Sequence, residues 1–160
     1  MTEETPAIKT GQRRAAVWGL WVSTILILLT SALQGLSGHW ILFFAVWPGG
    51  PNPGPAFVQA MTTLTHYHIY AGFATGWLAV FVLVFAFIAK TNKYVRIFAV
   101  VGFILTVIAA SGGVLYVRSG LQDRWSVGQM ADAFVGVFGA YFIQLFFMNK
   151  IPRFPWNRAR

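Results

Sequence analysis

The sequence predicts an all-α integral membrane protein. It reads as a bundle of four transmembrane helices with both termini cytoplasmic and an extra interfacial helix at the outer surface. Three observations predict this. Of 160 residues, 57% are hydrophobic and only 10% charged, with mean hydropathy +0.63, where a soluble domain carries about 25% charged residues. No Asp, Glu, Lys or Arg occurs from Ala15 to Ala89, and a bilayer core needs about 20 apolar residues per helix. The basic residues fall into clusters separated by apolar segments of spanning length. This pattern excludes a water-soluble globular protein. It also excludes disorder, which needs low hydrophobicity.

The elements follow in order. Residues 1–14 form a polar tail with two glutamates and Lys9, Arg13 and Arg14. The apolar segment after it is too long for a signal-peptide core and has no small-residue cleavage site, so it reads as a first span over 15–37 that stays in the membrane. An outward loop runs from Ser37 to Ala60. Within it, Ile41–Trp47 is too short to span and too apolar for water, which predicts an interfacial or re-entrant helix. The stretch Trp47-Pro48-Gly49-Gly50-Pro51-Asn52-Pro53-Gly54-Pro55 ends it as a rigid turn. Span two covers 61–89. Lys90, Lys93 and Arg96 fill the short turn before span three, 97–117. A short outward loop with Arg118, Asp123 and Arg124 leads to span four, 127–148. Residues 149–160 are a basic tail. Spans two and three must be antiparallel neighbours.

Only Arg118 and Arg124 fall outside the three basic clusters. By the positive-inside rule the termini and the 90–96 turn are cytoplasmic. The net charge of +8 is then an orientation signal, and nothing else supports nucleic-acid binding. The tail, with Phe154 and Trp156, reads as an anchor to anionic headgroups. With no cysteine, disulfides, zinc–thiolate sites, iron–sulfur clusters and thioether-linked haem are excluded. Nucleotide-binding glycine motifs, a Ser/His/Asp set and HExxH are also absent.

The candidate chemistry collects at the outer end. His39 follows span one, His66 and His68 open span two, and Asp132 lies early in span four. Residues two apart on a helix point about 200° apart. His66 and His68 could therefore share a site only if a helix began between them. His68 is the better inward candidate, with Gly72 and Gly76 following on nearly the same face. Two readings stand side by side. His68 is the axial ligand of a haem lying over that smooth groove, or it is a hydrogen-bonded interface histidine beside a close-packing Gly-xxx-Gly pair. Asp132 reads as a charge partner of Arg118, Arg124 or His68, or as an acid favoured by the helix dipole. By ligand type, His39, His68 and Asp132 could form a metal site suited to copper or zinc. Trp77, well inside span two, reads as core packing or as a contact to a cofactor. A faint two-fold repeat relates the ends of spans one and three (Ala32–Gly38, Ala109–Leu115) and the starts of spans two and four. Recurring small residues in membrane helices explain it equally well.

Several of these features occur in the same order in a known family. They are Gln34-Gly35-Leu36-Ser37-Gly38, Trp47-Pro48-Gly49, the His66/His68 pair and Gly112-Gly113-Val114-Leu115-Tyr116-Val117-Arg118-Ser119-Gly120-Leu121. Over roughly Val17 to Met148 the chain resembles half of a haem A synthase. The resemblance implies a four-helix half-bundle with haem near its outer end. The family's glutamate before the second-helix histidine is missing; Thr63-Leu64-Thr65 stands there. The fourth-helix histidine is also missing, with Met130 or Asp132 nearby. The implied ligand set is then His68, with Met130 or a partner's histidine opposite, or a five-coordinate iron. The functional expectation is a small membrane subunit or accessory protein of a redox or respiratory complex, holding haem, quinone or lipid at its outer end. The alternatives are a half-size haem A synthase-like enzyme and a purely structural or assembly subunit. The expected surroundings are the lipid bilayer, other membrane subunits of a redox complex and further copies of the chain itself in a homo-oligomer.

Overall fold

The computed structural model describes residues 6–46, 54–119 and 123–149. The chain forms four helices, α1 (Pro6–Val46), α2 (Pro55–Ile88), α3 (Lys93–Arg118) and α4 (Arg124–Met148). All four are long and apolar enough to cross a membrane. The expected bundle is present, and its environment is a lipid bilayer. The termini of the helical core lie at one end, together with Arg13, Arg14, Lys90, Lys93 and Arg96. We call this the basic end and the opposite one the distal end.

Helix boundaries have local causes. Gly54 is extended and Pro55 takes the first helical position of α2, where its fixed φ suits the helix and its missing N–H costs nothing. Asn92 caps α3, its side chain accepting from the Val95 amide at 3.0 Å. Asp123 caps α4 by accepting from the Trp125 amide at 3.0 Å and from the Ser126 hydroxyl. Both fill donors that a helix start leaves open. At the end of α2, the Lys90 amide donates to Phe87 O at 3.0 Å and the Thr91 amide to Ala86 O at 3.4 Å. Lys90 has φ 49. This is a Schellman ending with a lysine in the left-handed position that glycine normally takes. The Thr91 hydroxyl adds a second donor to Ala86 O at 2.9 Å, and Arg13 Nε donates to Ala89 O at 3.2 Å. The Ala86, Phe87 and Ala89 carbonyls at this helix end are thereby satisfied.

The first outward loop differs from expectation. The Ile41–Val46 segment is not a separate interfacial helix but the last turns of α1, which runs unbroken for 41 residues. Nothing between Leu36 and Val46 stops a helix. Gly38 weakens it only mildly, Ser37 returns its hydroxyl to Gln34 O at 3.1 Å, and the first proline is Pro48. Likewise α2 begins at Pro55, ahead of the expected start at Met61. Residues 47–53 of the proline–glycine turn and residues 150–160 of the basic tail lie outside the described residues.

The helices pack as a ring in chain order. α1 with α2 and α3 with α4 form two closely packed hairpins, and α2 with α3 and α1 with α4 make the seams between them. Among the described residues the diagonal pairs do not touch. The core is Leu20, Ile27, Ala79, Val82, Ala86, Val95, Ala99, Val137, Tyr141 and Met148. Large rings drop onto glycines. A Cβ added at Gly102 would stand 2.6 Å from Tyr141 Cζ, and one at Gly35 would collide with the Phe134 ring. Such close approach is how membrane helices gain packing without a hydrophobic drive between them. Trp77 is 65% exposed. It faces out of the bundle, contrary to the core position expected, because the buried stripe of α2 is Thr75, Ala79, Val82 and Ala86.

Candidate functional site at the distal end

His68 is the one candidate that the fold ties down. It lies in the fourth turn of α2, half-buried and turned toward α1. Its Nδ1 is 3.0 Å from Ser37 Oγ and 3.1 Å from Gln34 O. Ser37 already donates to Gln34 O. A consistent network therefore puts the ring proton on Nδ1, donating to α1, and leaves the lone pair on Nε2. The ring also explains Gly38, where a Cβ would stand 2.9 Å from His68 Cε1. The antiparallel pairing of α1 and α2 brings Gln34, Ser37 and Gly38 to the depth of His68. Thr30 and Thr75 meet two turns further in, with oxygens 3.1 Å apart.

His66 does not join this site. α2 starts at Pro55, well before both histidines, so they diverge as one helix requires. His66 and His39 are exposed. Asp132 is exposed too, in the third turn of α4, beyond the reach of the helix dipole. The acid that serves the helix start is Asp123. Among the described residues no group of three His, Asp or Glu side chains is placed to hold a metal. His39, His68 and Asp132 are thus not assembled as a metal centre.

The groove expected over Gly72 and Gly76 is partly filled. The Gln34 amide covers Gly72, its Nε2 standing 3.1 Å from where a Cβ would be, whereas Gly76 faces open space. The Gln34 amide occupies the space over Gly72 that a flat porphyrin laid along both glycines would take. The histidine nonetheless keeps the form of a ligating one, with one ring nitrogen anchored by a carbonyl and the other carrying the lone pair. In the second hairpin Met130 stands where His68 stands in the first. Its Cγ lies 2.9 Å from a Cβ built on Gly112 and its Sδ 3.5 Å from one on Gly113. Each residue covers a glycine near the distal end of the preceding helix. No family model matches the chain, and no curated protein or solved structure matches it.

The interior also carries polar side chains away from the histidines. Thr24, Ser31, Thr75, Thr106 and Gln144 are all buried. The threonine hydroxyls return to their own helices, as Thr24 does to Leu20 O at 2.7 Å and Thr106 to Gly102 O at 2.8 Å. Thr24 and Gln144 also both approach Met148 Sδ, at 3.7 and 3.9 Å. The pairing of His68 with Gln34 and Ser37 is what the sequence reading lacks. The signal was available: Gln34 and Ser37 sit one turn apart, at the depth an antiparallel hairpin assigns to His68.

Proposed function

We propose that this chain is a small accessory or assembly subunit of a larger membrane complex, of the redox or respiratory kind, with no reacting centre of its own. One observation carries the reading. The single half-buried histidine is engaged as a clasp between α1 and α2, while His39, His66 and Asp132 stand apart and exposed. The redox assignment is supported by the resemblance to a haem A synthase half-bundle. The positive-inside distribution supports an orientation with the basic end in the cytoplasm. The test is purification in mild detergent with identification of co-purifying subunits, for wild type and His68→Ala. A non-catalytic subunit keeps the parent complex active in His68→Ala once assembled. Loss of activity in an assembled complex overturns the reading.

The free Nε2 of His68 favours one further reading, in which the chain presents that nitrogen to haem or quinone. Met130 would be the natural second ligand to a haem iron. A half-size haem-modifying enzyme belongs to the same reading. An absorption spectrum of the purified protein decides between them. A Soret band that disappears in His68→Ala supports the cofactor-bearing form. A colourless protein that binds no haem on titration leaves the accessory subunit.

A further inference from the structure

At the basic end, beside the turn that joins α2 to α3, lies an open cleft of about 350 Å³ lined by Phe87, Lys93, Arg96, Ile97, Val100 and Val101. Its layout is graded. Lys93 and Arg96 are one turn apart on α3, and Ile97, Val100 and Val101 continue the same face toward the middle of the helix. Two cations therefore stand at the mouth of an apolar channel that opens sideways, since Phe87, Ile97 and Val101 are all exposed. Arg96 is held over the cleft by Phe87, its guanidinium carbon 6.0 Å from the ring centroid, and Lys93 Nζ stands 5.2 Å from the Tyr94 ring. Among the described residues neither cation has a carboxylate to pair with. The described acids, Asp123 and Asp132, lie at the distal end. The neighbours at this end, Arg13, Arg14 and Lys90, are cationic too.

We infer that this cleft is a binding site for an anionic phospholipid, its phosphate on Lys93 and Arg96 and an acyl chain along Ile97, Val100 and Val101. The charge at the mouth demands an anion, and the lateral apolar channel demands a chain attached to it. Only a lipid supplies both at the depth where spanning helices meet the headgroups. The site is independent of the distal histidine and of the function proposed above.

The test is native mass spectrometry of the full chain in detergent, titrated with dioleoylphosphatidylglycerol, dioleoylphosphatidylcholine or glycerol phosphate. Phosphatidylglycerol should bind preferentially, and Lys93→Gln/Arg96→Gln should weaken it by roughly tenfold or more, at about fivefold per cation. Val101→Trp, which fills the channel and keeps both charges, should also lose the bound lipid. Arg118→Gln/Arg124→Gln, matched in charge loss but at the distal end, should keep it. Elution as the wild-type species on size exclusion confirms that each variant is folded. Equal binding of the two lipids overturns the inference. So does retention of the preference in Lys93→Gln/Arg96→Gln, or an equal loss in Arg118→Gln/Arg124→Gln. If glycerol phosphate binds as well as the lipid, the site takes a free anion and the lipid assignment fails.

Discussion

His68 Nδ1 lies 3.0 Å from the hydroxyl of Ser37 on the neighbouring helix, and the Gln34 carbonyl stands almost equally near, at 3.1 Å. A hydrogen bond between membrane helices is worth about 0.6 to 2 kcal/mol. His68→Ala should therefore destabilise the isolated bundle by about that amount, read as a lower unfolding midpoint in detergent titration. Ser37→Ala should cost less, because Gln34 O remains as acceptor.

Glycine substitutions should separate contact from open surface. Gly102→Ala drives a methyl against Tyr141, where Cζ would be 2.6 Å away. Overpacking of this kind costs about 1 to 3 kcal/mol. Gly139→Ala meets nothing within 4 Å and should stay within about 0.5 kcal/mol of wild type. Equal effects in the same denaturation assay would contradict the packing of α3 on α4.

Burial without a partner gives the opposite sign. Ser31 Oγ is buried and makes no hydrogen bond with another described group. Replacing it by alanine removes a polar atom from an apolar interior without breaking a contact. Ser31→Ala should be neutral or mildly stabilising in thermal unfolding.

The α4 cap should respond to acid. The Ser126 hydroxyl, followed by backbone amides of Trp125 and Ser126, holds the Asp123 carboxyl below its ordinary value of 3.8. A lowered folded-state pKa contributes stability that is fully present above the unfolded value. That stability is lost as pH falls below about 3.8 and through the folded value. Asp123→Asn keeps a capping side chain but should remove this part of the pH dependence. Unfolding midpoints measured from pH 6 down to pH 2.5 provide the check.

The absence of cysteine allows a direct test of orientation. Single cysteines at Gly11 and Asn92 should be protected from an impermeant thiol reagent in intact cells, and one at Thr62 should react. The reverse pattern would invert the assigned orientation.

The sequence made four spans legible because the charges are so sparse and so clustered. Lys90, Lys93 and Arg96 mark the break between spans two and three, although only Lys90 lies in the turn and the other two belong to the start of α3, which begins at Lys93 and not at Ile97. The extent of α1 was harder to read. A seven-residue apolar stretch after His39 looks detached when spans are cut to bilayer length, yet no helix breaker precedes Pro48. Trp77 was misassigned because α2 is apolar all round, so periodicity does not reveal its inner face. At the site, the inward turn of His68 followed from helix spacing. Its partners did not, because Gln34 and Ser37 become neighbours only through the register of the hairpin. The cleft at Lys93 and Arg96 had no sequence signal beyond the charges, which topology already explained.

The unequal hairpins have a mechanical consequence. α1 and α2 have 41 and 34 residues, α3 and α4 only 26 and 25. At 1.5 Å per residue these are roughly 60 and 50 Å against 39 and 37 Å. A hydrocarbon core is about 30 Å thick, so even the shorter pair is long enough to cross it. With Arg13 level with Ala89 at the basic end, the extra turns of α1 and α2 rise past α3 and α4 at the distal end. The first hairpin therefore stands as a two-helix ridge above the second on that side.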